Sequence, residues 1–91
     1  MKKDKSPHRK HIFICCNEKK DGSGCGVLGG NELRQKLKQL ALEKGLFDVR
    51  VNKSGCLDCC NDGITAVLYP EGHLYTKLSV GDAEKLLKEI E

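Results

Sequence analysis

Apolar and polar positions change period along the first half of the chain. The run His11–Cys16 (HIFICC) is rich in β-branched and aromatic residues and predicts a buried strand. After a glycine-rich stretch, apolar residues recur at helical spacing on one face, which predicts an amphipathic helix: Leu33, Leu37, Leu40 and Ala41. We expect Asn31 to be the N-cap of this helix and Gly45 to end it.

The second half begins with strand patterns. Phe47, Val49 and Val51 alternate with polar residues, which predicts a half-buried strand. Ile64–Tyr69 is expected as a third strand and His73–Leu78 as a fourth. Pro70, Glu71 and Gly72 lie between them as a turn, so the last two strands are predicted to form a hairpin.

A final helix is indicated by its start signal and its periodicity. Ser79 with Asp82 has the spacing of a capping box, and the apolar residues that follow share one helical face: Ala83, Leu86, Leu87 and Ile90. The order β-α-β-β-β-α predicts a mixed four-stranded sheet with helices packed on it, which is the outline of a thioredoxin-like α/β fold. We expect one domain over 11–91, preceded by a disordered basic tail over 1–10.

Composition excludes several classes of protein. The 16 basic and 13 acidic residues leave a net charge of +3, spread along the chain and without interleaved aromatics, so no nucleic-acid partner is expected. No apolar run is long enough to cross a membrane. The basic N-terminus lacks the apolar segment of a secretory signal, so a cytoplasmic location is expected. In that reducing compartment, clustered cysteines indicate metal binding or catalysis rather than disulfides.

The six cysteines fall in two segments that follow predicted strands, namely Cys15, Cys16 and Cys25 in one, and Cys56, Cys59 and Cys60 in the other. Sheet order could bring the two segments to one soft metal centre, and thiolates are common ligands of iron–sulfur clusters and of structural zinc. Adjacent strand residues point to opposite faces, so Cys15 and Cys16 are not expected to bind the same centre. Spacing alone leaves open which cysteine of each neighbouring pair is the ligand.

Glycines and lysines near the cysteines suit a negatively charged cluster. Glycine lets backbone N–H groups approach sulfur without an intervening Cβ. Positive side chains favour a reduced, more negative cluster, and three lysines accompany the cysteine segments: Lys19, Lys20 and Lys53.

The whole pattern resembles the thioredoxin-like 2Fe–2S ferredoxin family. The matching features are HIFIC ending at Cys15, GSGCG with Cys25, and SGCLDCC with Cys56 and Cys60. The resemblance continues through VLYPEGHLY and the terminal DAEKLLKEI segment, and it covers roughly residues 9–91.

This resemblance implies a non-enzymatic one-electron carrier with a single 2Fe–2S cluster on four cysteines: Cys15, Cys25, Cys56 and Cys60. It implies redox-protein partners, such as oxidoreductases of the hydrogenase or dehydrogenase type, and allows a homodimer. Cys16 and Cys59 exceed the ligand set and are expected to be a small buried residue and a bystander.

Two alternative functions use the same cysteines. A zinc-stabilised interaction module would need the same thiolates, although thiolate-only zinc sites more often have two short C-x2-C pairs. A thiol redox protein would use the CxxC at 56–59, but that motif comes late and Pro70 is expected in a turn. Gly24 to Gly29 matches G-x-G-x-x-G but does not directly follow a strand, so we do not interpret it as a dinucleotide site.

Overall fold

The structure is a computed structural model, and it describes residues 1–16, 29–55 and 63–91. Over these residues the elements are β1 (Lys10–Cys15), α1 (Gly30–Glu43), β2 (Val49–Ser54), β3 (Ile64–Tyr69), β4 (His73–Leu78) and α2 (Ala83–Ile90), with one 3-10 turn (Val80–Asp82) before α2. This confirms the predicted order, and both strands of the predicted hairpin have the expected bounds.

The sheet has the strand order β2-β1-β3-β4. β1 and β2 are parallel and joined by α1, with Cys15 opposite Ser54 at their ends. β3 is antiparallel to β1 and places Tyr69 opposite His11, and β4 returns antiparallel to β3. The mixed sheet is therefore the predicted one, and the ends of β1 and β2 lie beside the start of β3.

α1 packs on β1 and β2 and against α2, and both helices share one buried core with the sheet. Alternation along β1 directs Ile12 and Ile14 towards the helices, and both are fully buried. The rest of this core comes chiefly from the apolar faces of the helices and from β3: Leu33, Leu37, Ala41, Ile64, Ala66, Leu68, Ala83, Leu86, Leu87 and Ile90. All four residues predicted for the buried face of α2 are in it.

The opposite face of the sheet carries a row of rings. His11 and Phe13 stack with ring centroids 6.2 Å apart, and Phe13 meets Tyr69 edge-on at 6.1 Å. Tyr69 is 48 % exposed and Leu74 is 51 % exposed. We call this surface, formed by His11, Phe13, Val67, Tyr69 and Leu74, the open face; within the described residues no helix packs on it.

Gly45 ends α1 as predicted, and the way it does so corrects the prediction for Phe47. Gly45 has φ 72°, and the N–H of Leu46 donates to the carbonyl of Ala41 at 2.9 Å, which is a Schellman turn. Leu46 is thereby the apolar residue that packs against the core. Phe47 is turned outwards and is 76 % exposed, and β2 begins only at Val49.

The predicted N-cap of α1 was also wrong. The cap is Gly29, with φ 102°, rather than Asn31. A Cβ built on Gly29 would lie 2.7 Å from Cγ2 of Val80, so both the backbone conformation and the close approach of the turn before α2 favour glycine. Asn31 instead lies within the first turn, and its side chain accepts hydrogen bonds from Arg34.

Candidate metal centre

Four chain ends that flank the two cysteine segments meet at one end of the sheet. The N–H of Cys16 donates to the carbonyl of Ser54 at 2.9 Å, which ties the ends of β1 and β2 together. A Cβ built on Gly29 would lie 3.9 Å from Cδ1 of Ile64, so the start of α1 adjoins the start of β3. The described residues that flank positions 17–28 and 56–62 therefore lie at the same end of the sheet, which we call the cysteine end.

Cys15 is the last residue of β1 and has 0 % exposure. It lies opposite Ser54 and belongs to the same buried cluster as Ile12 and Ile14. A thiol buried at a strand end is removed from water and is fit either for packing or for coordination by a soft metal.

Cys16 follows directly and has different surroundings. It is half-buried, and its thiol donates to the carbonyl of Ile14 at 3.4 Å. Burial raises the pKa of the Cys16 thiol, and the positive charge of Arg34 on α1 opposes the rise. The expectation that Cys15 and Cys16 do not bind the same centre stays a prediction.

Two positive side chains adjoin the cysteine end. Arg34 is half-buried, and Lys53 lies opposite Ile14 on β2; both exert an electrostatic effect at the Cys16 sulfur. Among the described residues, neither has a carboxylate within ion-pair distance. Lys53 was expected from sequence to favour a negatively charged centre. The effect of Arg34 on Cys16 was missed, because it depends on how α1 crosses the sheet.

Gly63 fixes the position at which the chain enters β3. A Cβ added to Gly63 would collide with the backbone of Lys77, lying 2.7 Å from its carbonyl carbon. Lys77 has φ 54°, and the β3–β4 ladder shifts register between Ile64 and Ala66. The tight approach of Gly63 to this irregular part of β4 therefore sets where the chain re-enters the sheet.

The remaining predicted ligands, Cys25, Cys56 and Cys60, and also Cys59, lie outside the described residues. Within residues 1–16, 29–55 and 63–91 no group of three or more His, Cys, Asp or Glu side chains could hold a metal ion. The ligand set therefore stays a prediction. Of its members the structure places Cys15, which lies at the end where both segments are anchored.

The position of Pro70 in a turn was one of our two arguments against the thiol redox alternative, and the structure confirms that position. Because β3 runs antiparallel to β1, its last residue Tyr69 lies beside His11, far from Cys15. The Tyr69–Pro70 peptide bond is cis, and Pro70 occupies the hairpin turn after β3. Pro70 and Cys15 are thus at opposite ends of the sheet.

The known proteins to which this chain is similar are named as 2Fe–2S ferredoxins. No family model matches the sequence. The chain is 26 % identical over 85 residues to a "Ferredoxin, 2Fe-2S" of Aquifex aeolicus, which covers 88 % of this chain and 77 % of the relative. It is 26 % identical over 84 residues to a "Ferredoxin, 2Fe-2S" of Clostridium pasteurianum, and the match covers 88 % of this chain and 82 % of that relative. A "Putative 2Fe-2S ferredoxin" of Priestia megaterium is 29 % identical over 80 residues, and the match covers 88 % of this chain and 60 % of that relative.

Solved structures show the same fold. The wild-type thioredoxin-like [2Fe-2S] ferredoxin from Aquifex aeolicus superimposes with a TM-score of 0.79 at 24 % identity, covering 90 % of this chain and 84 % of that one. A cysteine-to-serine variant of that protein gives a TM-score of 0.80 at 24 % identity, with coverage of 88 % and 84 %. The predicted thioredoxin-like fold and the predicted family resemblance are both confirmed.

No described helix has the length and apolar character needed to span a bilayer.

Proposed function

We propose that this chain is a thioredoxin-like 2Fe–2S ferredoxin, a one-electron carrier between redox proteins, with its cluster on four cysteines: Cys15, Cys25, Cys56 and Cys60. The observation that carries the proposal is that the described residues flanking both cysteine segments meet at one end of the sheet, beside the buried Cys15. The similarity to 2Fe–2S ferredoxins over 88 % of the chain supports the choice of cofactor.

The described residues fit such a cofactor. A cluster core with charge of about +2, held by four thiolates, leaves roughly −2 on the assembly. Cys15 supplies a thiol already removed from water, and Arg34 and Lys53 place positive charge at the same end. When bound, a 2Fe–2S cluster supplies a reversible one-electron couple.

The protein's own part is to fix and shield the site. The parallel pair β1–β2 holds the first ligand in register with the start of the second cysteine segment through the Cys16–Ser54 hydrogen bond. Gly29 and Gly63 permit the close approaches that anchor the other ends of both segments. We propose no bond-making catalysis, and we assign the protein to the cytoplasm.

Single substitutions test the ligand set. Each of the four ligand cysteines changed to alanine is expected to lose or destabilise the visible absorption of anaerobically reconstituted protein. Cys16→Ala and Cys59→Ala are the matched controls and are expected to retain it. A stable wild-type spectrum in Cys56→Ala would show that another thiol, such as Cys59, serves as the ligand.

We further propose redox enzymes of the hydrogenase or dehydrogenase type as partners, and a homodimer formed through the open face. Leu74 on that face is 51 % exposed, and so is Leu42 on α1, which makes them a matched pair. Leu74→Glu is expected to halve the mass measured by light scattering, because it would bury a charge in the interface, whereas Leu42→Glu should leave it unchanged. A wild-type mass equal to one chain would contradict the dimer.

A further inference from the structure

We propose that Arg34, held in place by Asn31 in the first two turns of α1 at the cysteine end, raises the reduction potential of the bound cluster. This inference rests on the proposed function. Arg34 does not bind the cluster in our assignment; it acts as a fixed positive charge at the end of the sheet that carries the ligand Cys15.

Arg34 is oriented by Asn31 near the cysteine end. The Nε and Nη2 of Arg34 donate to Oδ1 of Asn31 at 3.4 and 3.1 Å, which holds the planar guanidinium across the first two turns of α1. The residue before α1, Gly29, adjoins the start of β3 at the cysteine end. The positive charge of Arg34 also acts at the sulfur of Cys16.

The backbone at Cys16 is fixed as well. The Cys16 N–H donates to the carbonyl of Ser54 at 2.9 Å, and Cys15, the residue before it, is fully buried. The residue at which the charge of Arg34 acts is therefore the direct neighbour of the predicted ligand in the chain.

Partial burial makes this charge effective. Arg34 is half-buried, whereas Lys53 is exposed, and interactions of exposed charges are screened by water and salt. Reduction adds one electron to the cluster and no proton in our scheme, so the cluster becomes more negative by one charge. A nearby guanidinium stabilises the reduced form more than the oxidised form, which raises the potential.

An anaerobic redox titration with mediators and dithionite tests the inference, with the reduced fraction measured by visible absorption and EPR. At the wild-type midpoint potential, Arg34→Gln is expected to lower the reduced-to-oxidised ratio by about three- to tenfold, where tenfold corresponds to 59 mV for a one-electron couple. Arg34→Lys keeps the charge and should restore most of the ratio.

Arg50→Gln is the matched control. Arg50 is also a guanidinium held by an asparagine, with Nε donating to Oδ1 of Asn52 at 3.2 Å. It lies four positions before Ser54 on β2, or about 13 Å at the usual rise of a strand. Its loss removes the same charge at a distance and should change the ratio by less than about twofold.

Asn31→Ala gives a second test in which every charge is kept. It removes the tether of Arg34 and should lower the ratio in the same direction by a smaller factor. Equal potentials for Arg34→Gln, Arg50→Gln and wild type would overturn this inference alone. A wild-type protein that takes up no cluster would overturn the proposed function and this inference with it.

Discussion

The two ends of the sheet use positive side chains in different ways. At the end opposite the cysteines, Arg9 pairs with Asp48 at 2.9 Å and Lys10 pairs with Glu71 at 3.1 Å. Arg9 also donates to the last carbonyls of α2, those of Ile90 and Glu91. Beside Cys16, by contrast, Arg34 and Lys53 have no carboxylate partner among the described residues.

This difference separates a structural role from an electrostatic one. Paired cations that cap the C-terminus of a helix join distant parts of the chain, here the start of β1 to the end of α2. Arg34 and Lys53 instead place positive charge at the half-buried Cys16, which suits a centre that gains negative charge. Substitutions at the two ends are therefore expected to affect different measurements.

The largest effect is expected at Cys15. Cys15→Ser should abolish the visible spectrum and lower the iron content of anaerobically purified protein, because it removes a ligand that is fully buried. Cys16→Ser, one residue away, should retain both the spectrum and the iron. Equal loss in the two variants would remove the distinction we draw between the neighbouring thiols.

Next in size is the effect of a methyl group at Gly63. Gly63→Ala is expected to lower the free energy of unfolding by about 1–3 kcal/mol, since the added Cβ would collide with the backbone of Lys77. Gly55→Ala flanks the other side of segment 56–62, and its Cβ would have no atom within 4 Å. Denaturant unfolding should show a change within about 0.5 kcal/mol for Gly55→Ala, and equal losses would refute the steric argument.

A smaller change is expected at the opposite end. Arg9→Gln should lower the thermal stability only slightly, because both partners of the Arg9–Asp48 pair are largely exposed and water screens their attraction. Its reduction potential should equal that of wild type. Thermal unfolding and redox titration of the same samples test this. Arg9→Gln should change the thermal stability but not the reduction potential, whereas Arg34→Gln should change the reduction potential. A shift of the potential in Arg9→Gln would contradict the comparison between the two ends.

The smallest effect concerns acid stability. The Ser79 N–H donates to Asp82 at 2.9 Å and holds the pKa of that carboxyl below its usual value. A lowered carboxyl pKa contributes stability that is present above the unfolded value, about 4, and is lost as the pH falls through the folded value. The difference in Tm between wild type and Asp82→Asn should therefore be constant from neutral pH to about pH 5 and decline below about pH 4. A difference that grows on acidification would contradict this assignment.

The elements that sequence predicted well are those whose signals are local. Period-two and helical patterns gave β3, β4 and the buried face of α2, and Ser79 with Asp82 forms the expected capping box. Phe47 was misplaced because the Schellman turn at Gly45 uses Leu46 as its apolar contact, a choice that periodicity does not specify.

The site was predictable in kind but not in detail. The positions of the cysteines relative to the predicted strands indicated that the two cysteine segments could come together at one end of the sheet. The residues that surround each thiol, however, depend on how α1 lies across the sheet. Asn31 illustrates the limit, since the same residue satisfies the pattern of an N-cap and yet holds Arg34. An asparagine three positions before an arginine, in the first turn after a cysteine segment, is the signal that could have indicated this contact.

The most direct test of the central claim is the visible absorption and EPR spectrum of anaerobically purified protein, before and after dithionite, together with its iron and zinc content. Our account predicts charge-transfer bands that bleach on reduction, a rhombic EPR signal in the reduced state and iron as the bound metal. A colourless, EPR-silent protein that contains zinc and no iron would contradict it and would favour a zinc-stabilised interaction module.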